Sequence, residues 1–151
     1  MVNKIVWLAI FLFSVSISAQ DNSEDTALIS ATIKNYFDGY IHQDSVLLHR
    51  AFDMENGAMK VPETDKKGKE IVVNRYFRDL IPKWASREPF APEIMANSAL
   101  EIQNIDMVDG KISSAKISMK VGETTYIDIL SLQKINQDWK ITNKIFVVQE
   151  D

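Results

Sequence analysis

Asp128 is the residue whose type and setting can do chemistry in this chain. It interrupts the run Thr124-Thr125-Tyr126-Ile127-Asp128-Ile129-Leu130, and three flanking turns indicate what faces it. Asp109-Gly110 suits a two-residue type I′ hairpin turn and Gly122-Glu123 a type II′ turn, because both need positive φ; Asn136-Gln137 is a weaker candidate of the same kind. Those turns set Met119 opposite Tyr126, Ile117 opposite Asp128 and Ala115 opposite Leu130. They also set Leu132 opposite Ile141, Leu130 opposite Asn143, Asp128 opposite Ile145 and Tyr126 opposite Val147. The first turn brings Asn104 beside Ala115 and Ile102 beside Ile117. Side chains alternate faces along a strand, so these residues share one face, apolar except at Asp128, Asn143 and Asn104. The other face carries Ser114, Lys116, Ser118, Lys120, Lys140, Thr142 and Lys144, as a wet face should.

Three roles for Asp128 are open at this level. It can organise the core through a hydrogen bond to Asn143, as buried polar groups commonly do. It can orient a ligand, since a small-molecule pocket is apolar with a few convergent polar groups. It can act as a general acid or base, desolvated by Ile117 and Ile145, with Tyr36, Tyr40 or Tyr76 stabilising an oxyanion. The pocket candidates are therefore Tyr36, Tyr40, Tyr76, Asn104, Tyr126, Asp128 and Asn143. Other chemistries lack their residues. The chain has two histidines, His42 and His49, and no cysteine, with no His-x-His or His-Glu-x-x-His spacing, so no metal site is expected. No cofactor is expected either: the five glycines are scattered rather than gathered in a phosphate-binding loop.

The elements that must position these residues follow from periodicity and punctuation. Asp21, Asn22 and Ser23 offer helix-capping oxygens, and Ile29, Ile33, Tyr36, Phe37, Tyr40 and Ile41 recur at helical spacing, which predicts an amphipathic helix over 24–42. Asp44 or Ser45 caps a short second helix that runs to Phe52. Asn56-Gly57 turns into a strand over 58–61, residues 62–69 form a polar loop, and a third helix starts near Lys69 with Val72, Val73, Tyr76, Phe77 and Leu80 buried, ended or kinked by Pro82. From about Ile94 everything reads as strand. Helices first and a meander last predict an α+β fold with helices covering one face of an antiparallel sheet.

At 151 residues and net charge −4, the chain fits one globular domain with a single core. Lys4, the apolar stretch 5–15 and the small residues Ser18-Ala19 predict a secretory signal over 1–19, leaving 20–151 as the domain at a net charge of about −5. An exported chain without cysteine suits a periplasm, or secretion, and carries no lipid-anchored mature cysteine. Acidity with no basic cluster argues against nucleic acid, and no membrane association is expected once the signal is removed.

Several short matches in order carry a family resemblance. They are Tyr36-Phe37-Asp38-Gly39-Tyr40 with Asp44, Leu47-Leu48 and Ala51-Phe52, then Tyr126, Asp128, Leu130-Ser131-Leu132, Lys134-Ile135 and Trp139-Lys140-Ile141-Thr142-Asn143-Lys144. In these the chain resembles the nuclear transport factor two-like superfamily (SnoaL-like, with a cystatin-like α+β cone), and within it the lumazine-binding subgroup. Phe52 is followed by Asp53-Met54 where such proteins often have His-Pro, so a role for that histidine does not carry over. The resemblance implies a cone-shaped sheet wrapped around N-terminal helices, a pocket between them and often a homodimer, without fixing one activity. The expectation is an exported protein that binds an unidentified small molecule. The alternatives are an enzyme of the ketosteroid-isomerase or polyketide-cyclase type using Asp128, and a non-catalytic protein-interaction module. On the wet face the same register groups Ile127, Ile129, Phe146 and Val148, an apolar cluster of the kind that marks an interface, here for a homodimer.

Overall fold

The computed structural model describes the backbone of residues 3–149 and the side chains of residues 22–149. The side chains of the segment expected to be a signal, 1–19, lie outside the described residues. Helix α1 (Asn3–His42) is followed by α2 (Ser45–Ala51), strands β1 (Ala58–Thr64) and β2 (Glu70–Tyr76), and helices α3 (Phe77–Ala85) and α4 (Pro92–Ala96). Strands β3 (Ala99–Val108), β4 (Ile112–Val121), β5 (Thr124–Ile135) and β6 (Asp138–Gln149) complete the chain. The sheet is curved and unclosed, in the order β2-β1-β6-β5-β4-β3; every pairing is antiparallel except the short β1–β6 contact.

Helix α1 lays Ile29, Ile33 and Tyr36 against Ala115, Ile117 and Met119 of β4, Leu130 and Leu132 of β5, and Trp139 and Ile141 of β6. Asp44 starts α2, its Oδ1 accepting the amides of Val46 (2.8 Å) and Leu47 (3.1 Å), and Leu48, Ala51 and Phe52 close the core from that side. Each fully buried aliphatic side chain here stabilises the fold by about 1.5–3 kcal/mol.

Four local expectations are corrected. Asp21, Asn22 and Ser23 lie inside α1 rather than at its start. Residues 70–76 are strand, because the β-branched run Ile71-Val72-Val73 favours a pleat and pairs with Val61, Pro62 and Glu63. The expected polar loop is instead a tight hairpin turn: Asp65 Oδ1 accepts the amides of Lys67 and Lys69, and Gly68 supplies φ +79°. Helix α3 therefore begins at Phe77 and runs through Pro82 to Ala85. Residues 92–96 are helical, with Pro92 in the first turn where its missing amide costs nothing.

The sheet register departs from two-residue hairpin geometry at two places. The β3–β4 connection holds three residues, with Asp109 and Gly110 at φ 53° and 60° and the Lys111 amide bonded to Val108 O. A bulge at Gln103 restores the Ile102–Ile117 pair but turns Asn104 outward, opposite Lys116. The β5–β6 turn follows the expected pairing as far as Leu132–Ile141; then Thr142 is an extra residue, its hydroxyl bonded to Ser131 O at 3.3 Å. Beyond it Leu130 faces Lys144, Asp128 faces Phe146, and Tyr126 faces Val148. One inserted residue exchanges the two faces of a strand. Lys144, Phe146 and Val148 thus turn inward, while Asn143, Ile145 and Val147 turn outward.

Candidate functional site

Three side chains from three elements meet under the sheet. Asp128 is fully buried, Tyr36 is 1% exposed and Lys144 is 4% exposed. Lys144 Nζ donates to Asp128 Oδ2 at 2.5 Å and to the Tyr36 hydroxyl at 2.5 Å. The Tyr36 hydroxyl in turn donates to Asp128 Oδ2 at 3.1 Å. The second carboxylate oxygen, Oδ1, is buried with no hydrogen-bond partner among the described residues. Strands β5 and β6 place the acid and the amine as diagonal neighbours on the inner face, and α1 lowers the phenol onto both. Lys144 Nζ also lies 5.0 Å from the Tyr36 ring centre and 5.2 Å from that of Phe146, within the range of cation–π attraction.

Burial sets the electrostatics. Loss of hydration pushes the Lys144 ammonium down from its ordinary pKa, and the neighbouring Asp128 carboxylate opposes the shift. Burial, with the Asp128 charge adding to it, raises the Tyr36 phenol well above its ordinary range and keeps it a proton donor.

Lys144 reaches a cleft of about 140 Å³ that it lines with Tyr36, Tyr40, Met59, Trp84, Met119, Tyr126 and Phe146. Asp128 lies behind this lining. The interior beyond is filled by aromatics packed tilted or edge-on: Phe52 and Phe77 are 4.3 Å apart, Tyr36 and Phe52 5.0 Å, and Phe52 and Trp84 5.9 Å between ring centres. The Arg87 guanidinium braces the Tyr40 wall from outside the cleft, 4.0 Å from the Tyr40 ring centre and 4.1 Å from that of Phe90, and donates to Tyr40 O. Burial lowers its pKa.

Of the expected pocket residues, Tyr36, Tyr40 and Tyr126 line the cleft, with Asp128 behind them. Tyr76 does not: it is 38% exposed at the end of β2, under the Arg78 guanidinium. Asn104 and Asn143 face away because of the two bulges, so Asn143 is not Asp128's partner. The partner is Lys144, which the unbulged register assigned to the wet face. Phe146 and Val148 likewise leave the outer apolar cluster, and Ile145 and Val147 take their places opposite Ile129 and Ile127. Residues 145–148 are Ile-Phe-Val-Val, apolar in either frame, so alternation carried no signal of the shift. Trp84, Met59 and Met119 were also missed as lining, since an aromatic or methionine on an apolar face reads as core.

The profile of a family described as putative lumazine-binding matches residues 24–147. No functionally curated protein matches the chain. Among solved structures, an NTF2-like protein of unknown function from Shewanella baltica superposes with a TM-score of 0.67 at 20% identity, over 85% of this chain and 97% of that one. A cystatin-like fold protein from Burkholderia xenovorans gives 0.61 at 9% identity, over 85% and 94%. A ketosteroid isomerase-like protein from Erwinia carotovora atroseptica gives 0.57 at 13% identity, over 83% and 96%. At these identities the likeness is one of fold.

Proposed function

The chain belongs to the putative lumazine-binding family, within the NTF2-like superfamily, and on that premise we propose that it binds a small, flat, largely apolar ligand in the cleft beside Lys144. The observation that carries this is the lining itself: five aromatic rings and two methionines around one buried amine. A cleft of about 140 Å³ is close to the ~150 Å³ that accommodates a benzene-sized molecule and well below the range of drug-sized sites. The ligand seats one ring inside, with a hydrogen-bond acceptor toward Lys144. Asp128 acts through Lys144, since a carboxylate behind the lining cannot touch the ligand, and its use as a direct acid or base is not part of this reading.

Titration of Trp84 fluorescence with lumazine and with single-ring phenols and lactams tests the proposal, with Trp84→Phe as the control. Saturable quenching that Trp84→Phe abolishes is expected. Absence of saturation with every probe up to millimolar concentration overturns it.

Two further proposals complete the reading. The chain is exported: the mature protein recovered from outside the cytoplasm of its host begins at Gln20, and a native N-terminus at Met1 or Val2 would refute this. A second copy of the chain covers the outer block Ile127, Ile129, Ile145 and Val147. The two cross-strand pairs Ile127–Val147 and Ile129–Ile145 make a compact apolar block on a face otherwise carrying Lys116, Ser118 and Lys120, of the kind that a two-fold axis can pair with itself.

A further inference from the structure

We propose that Lys144 is a covalent anchor, whose amine condenses with the carbonyl of an aromatic aldehyde or ketone seated in the cleft to form a Schiff base. The inference rests on the ligand-binding reading above and names its substrate class. Lys144 is the one buried lysine among the described residues, and it lines the cleft.

The groups that such a condensation needs stand around it. Asp128 Oδ2, 2.5 Å away, takes a proton from the ammonium and frees the nitrogen lone pair. The Tyr36 hydroxyl, 2.5 Å from Nζ, relays a proton to the carbonyl oxygen as the C–N bond forms and the C=O π bond breaks. Tyr36 then relays the proton held by Asp128, whose Oδ2 lies 3.1 Å from its hydroxyl, to the carbinolamine hydroxyl, which leaves as water while the nitrogen lone pair closes the C=N bond. Of the three ammonium protons, two depart in that water and one stays on the iminium nitrogen. The positive charge is thus present before and after, beside the same carboxylate.

That conservation of charge is the physical reason for the pairing. A buried cation needs a counter-ion, and Asp128 provides one to ammonium and iminium alike without contacting the ligand. Burial also favours the neutral amine as nucleophile. The walls of Tyr36, Tyr40, Trp84, Tyr126 and Phe146 match an aromatic ring in conjugation with the carbonyl and keep bulk water from the C=N bond.

The test uses the full mature chain with equimolar benzaldehyde and sodium cyanoborohydride, followed by peptide mass mapping. One benzyl group per chain is expected on Lys144, ahead of every exposed lysine. Benzyl alcohol, which seats a ring but cannot condense, should protect Lys144, and Tyr36→Phe should slow labelling about 10-fold or more. Labelling of Lys144 no faster than of the exposed lysines overturns the covalent anchor. If benzyl alcohol still quenches Trp84 saturably in that case, the binding site stands and only the condensation falls. If neither labelling nor quenching occurs, both fall. Because the site is mapped in the wild-type protein, the result does not depend on a Lys144 variant that folds.

Discussion

Lys144 Nζ sits 2.5 Å from Asp128 Oδ2 because a single extra residue, Thr142, turns the end of β6 over. Without that bulge the amine would point into water and Asn143 would take its place on the inner face. The consequence is an ion pair from which water is almost wholly excluded, where desolvation of each charge is large and must be met by the other. Asp128→Asn leaves the ammonium buried beside a neutral amide and should destabilise the protein by about 3–5 kcal/mol in urea unfolding. Asp128→Leu combined with Lys144→Met should cost much less than the two single changes added together. Additive losses would mean that the pair is not coupled.

Tyr36→Phe keeps the ring edge-on to Phe52 and stacked on Trp84 and removes only the hydroxyl shared by acid and amine. A hydrogen bond to a charged group contributes about 1.5–3 kcal/mol, so a loss of that size is expected in guanidinium unfolding. A change under about 0.5 kcal/mol would show that the hydroxyl is not part of the network.

Asp25 ties α1 to the far end of the sheet, its Oδ1 accepting from Lys134 Nζ and Trp139 Nε1, both at 2.8 Å. The bond from Lys134 first, then that from Trp139, lowers its pKa below the usual 3.8. A depressed carboxylate contributes stability that is fully present above the unfolded-state pKa and is lost as pH falls through the folded one. Thermal melts from pH 5 downward should therefore show wild type losing part of its advantage over Asp25→Asn below about pH 4. A difference between the two that stays constant down to pH 2 would contradict this.

Asn136 and Gln137 both hold positive φ, 50° and 72°, and glutamine has no intrinsic liking for that region. Left-handed backbone costs a non-glycine residue about 1–2 kcal/mol, and glycine's greater freedom in the unfolded chain offsets part of any gain. Gln137→Gly should raise stability by about 0.5 kcal/mol with the β5–β6 register unchanged. A loss of stability would show that the Gln137 side chain makes a compensating contact.

Ile145→Asp places a charge on the outer block, and Phe146→Asp places one in the cleft. Sedimentation at micromolar concentration should find wild type and Phe146→Asp dimeric to the extent that each is folded, and Ile145→Asp monomeric with its urea midpoint little changed. A monomeric wild type would remove the proposed interface. Monomers from Phe146→Asp alone would put the interface on the other face.

Much of this architecture was legible in the residues. Ile29, Ile33, Tyr36 and Tyr40 mark one stripe of a helix, and the positive-φ pairs at 109–110 and 136–137, with Gly122, mark where the meander reverses. From the turn at Gly122 alone, β4 and β5 pair as expected, and Ile117 faces Asp128. Residues 70–76 show the limit of periodicity: Val72, Val73, Tyr76, Phe77 and Leu80 satisfy helical spacing, yet the first three belong to a strand that the Asp65–Lys69 turn folds back onto β1.

By itself, then, the sequence determined the α+β order and the burial of Asp128, because these depend on local turn chemistry and on which residues avoid water, while the cone was implied by the family resemblance alone. Only the tertiary structure decided what Asp128 meets. The bulges at Gln103 and Thr142 form where a curved sheet has to bend around α1, and that bending is a property of the whole assembly. In the Ile145–Val148 run both frames bury apolar side chains equally well, so the choice fell to the strand's fit against helix and neighbour, which brought Lys144 under the sheet and left Asn143 outside.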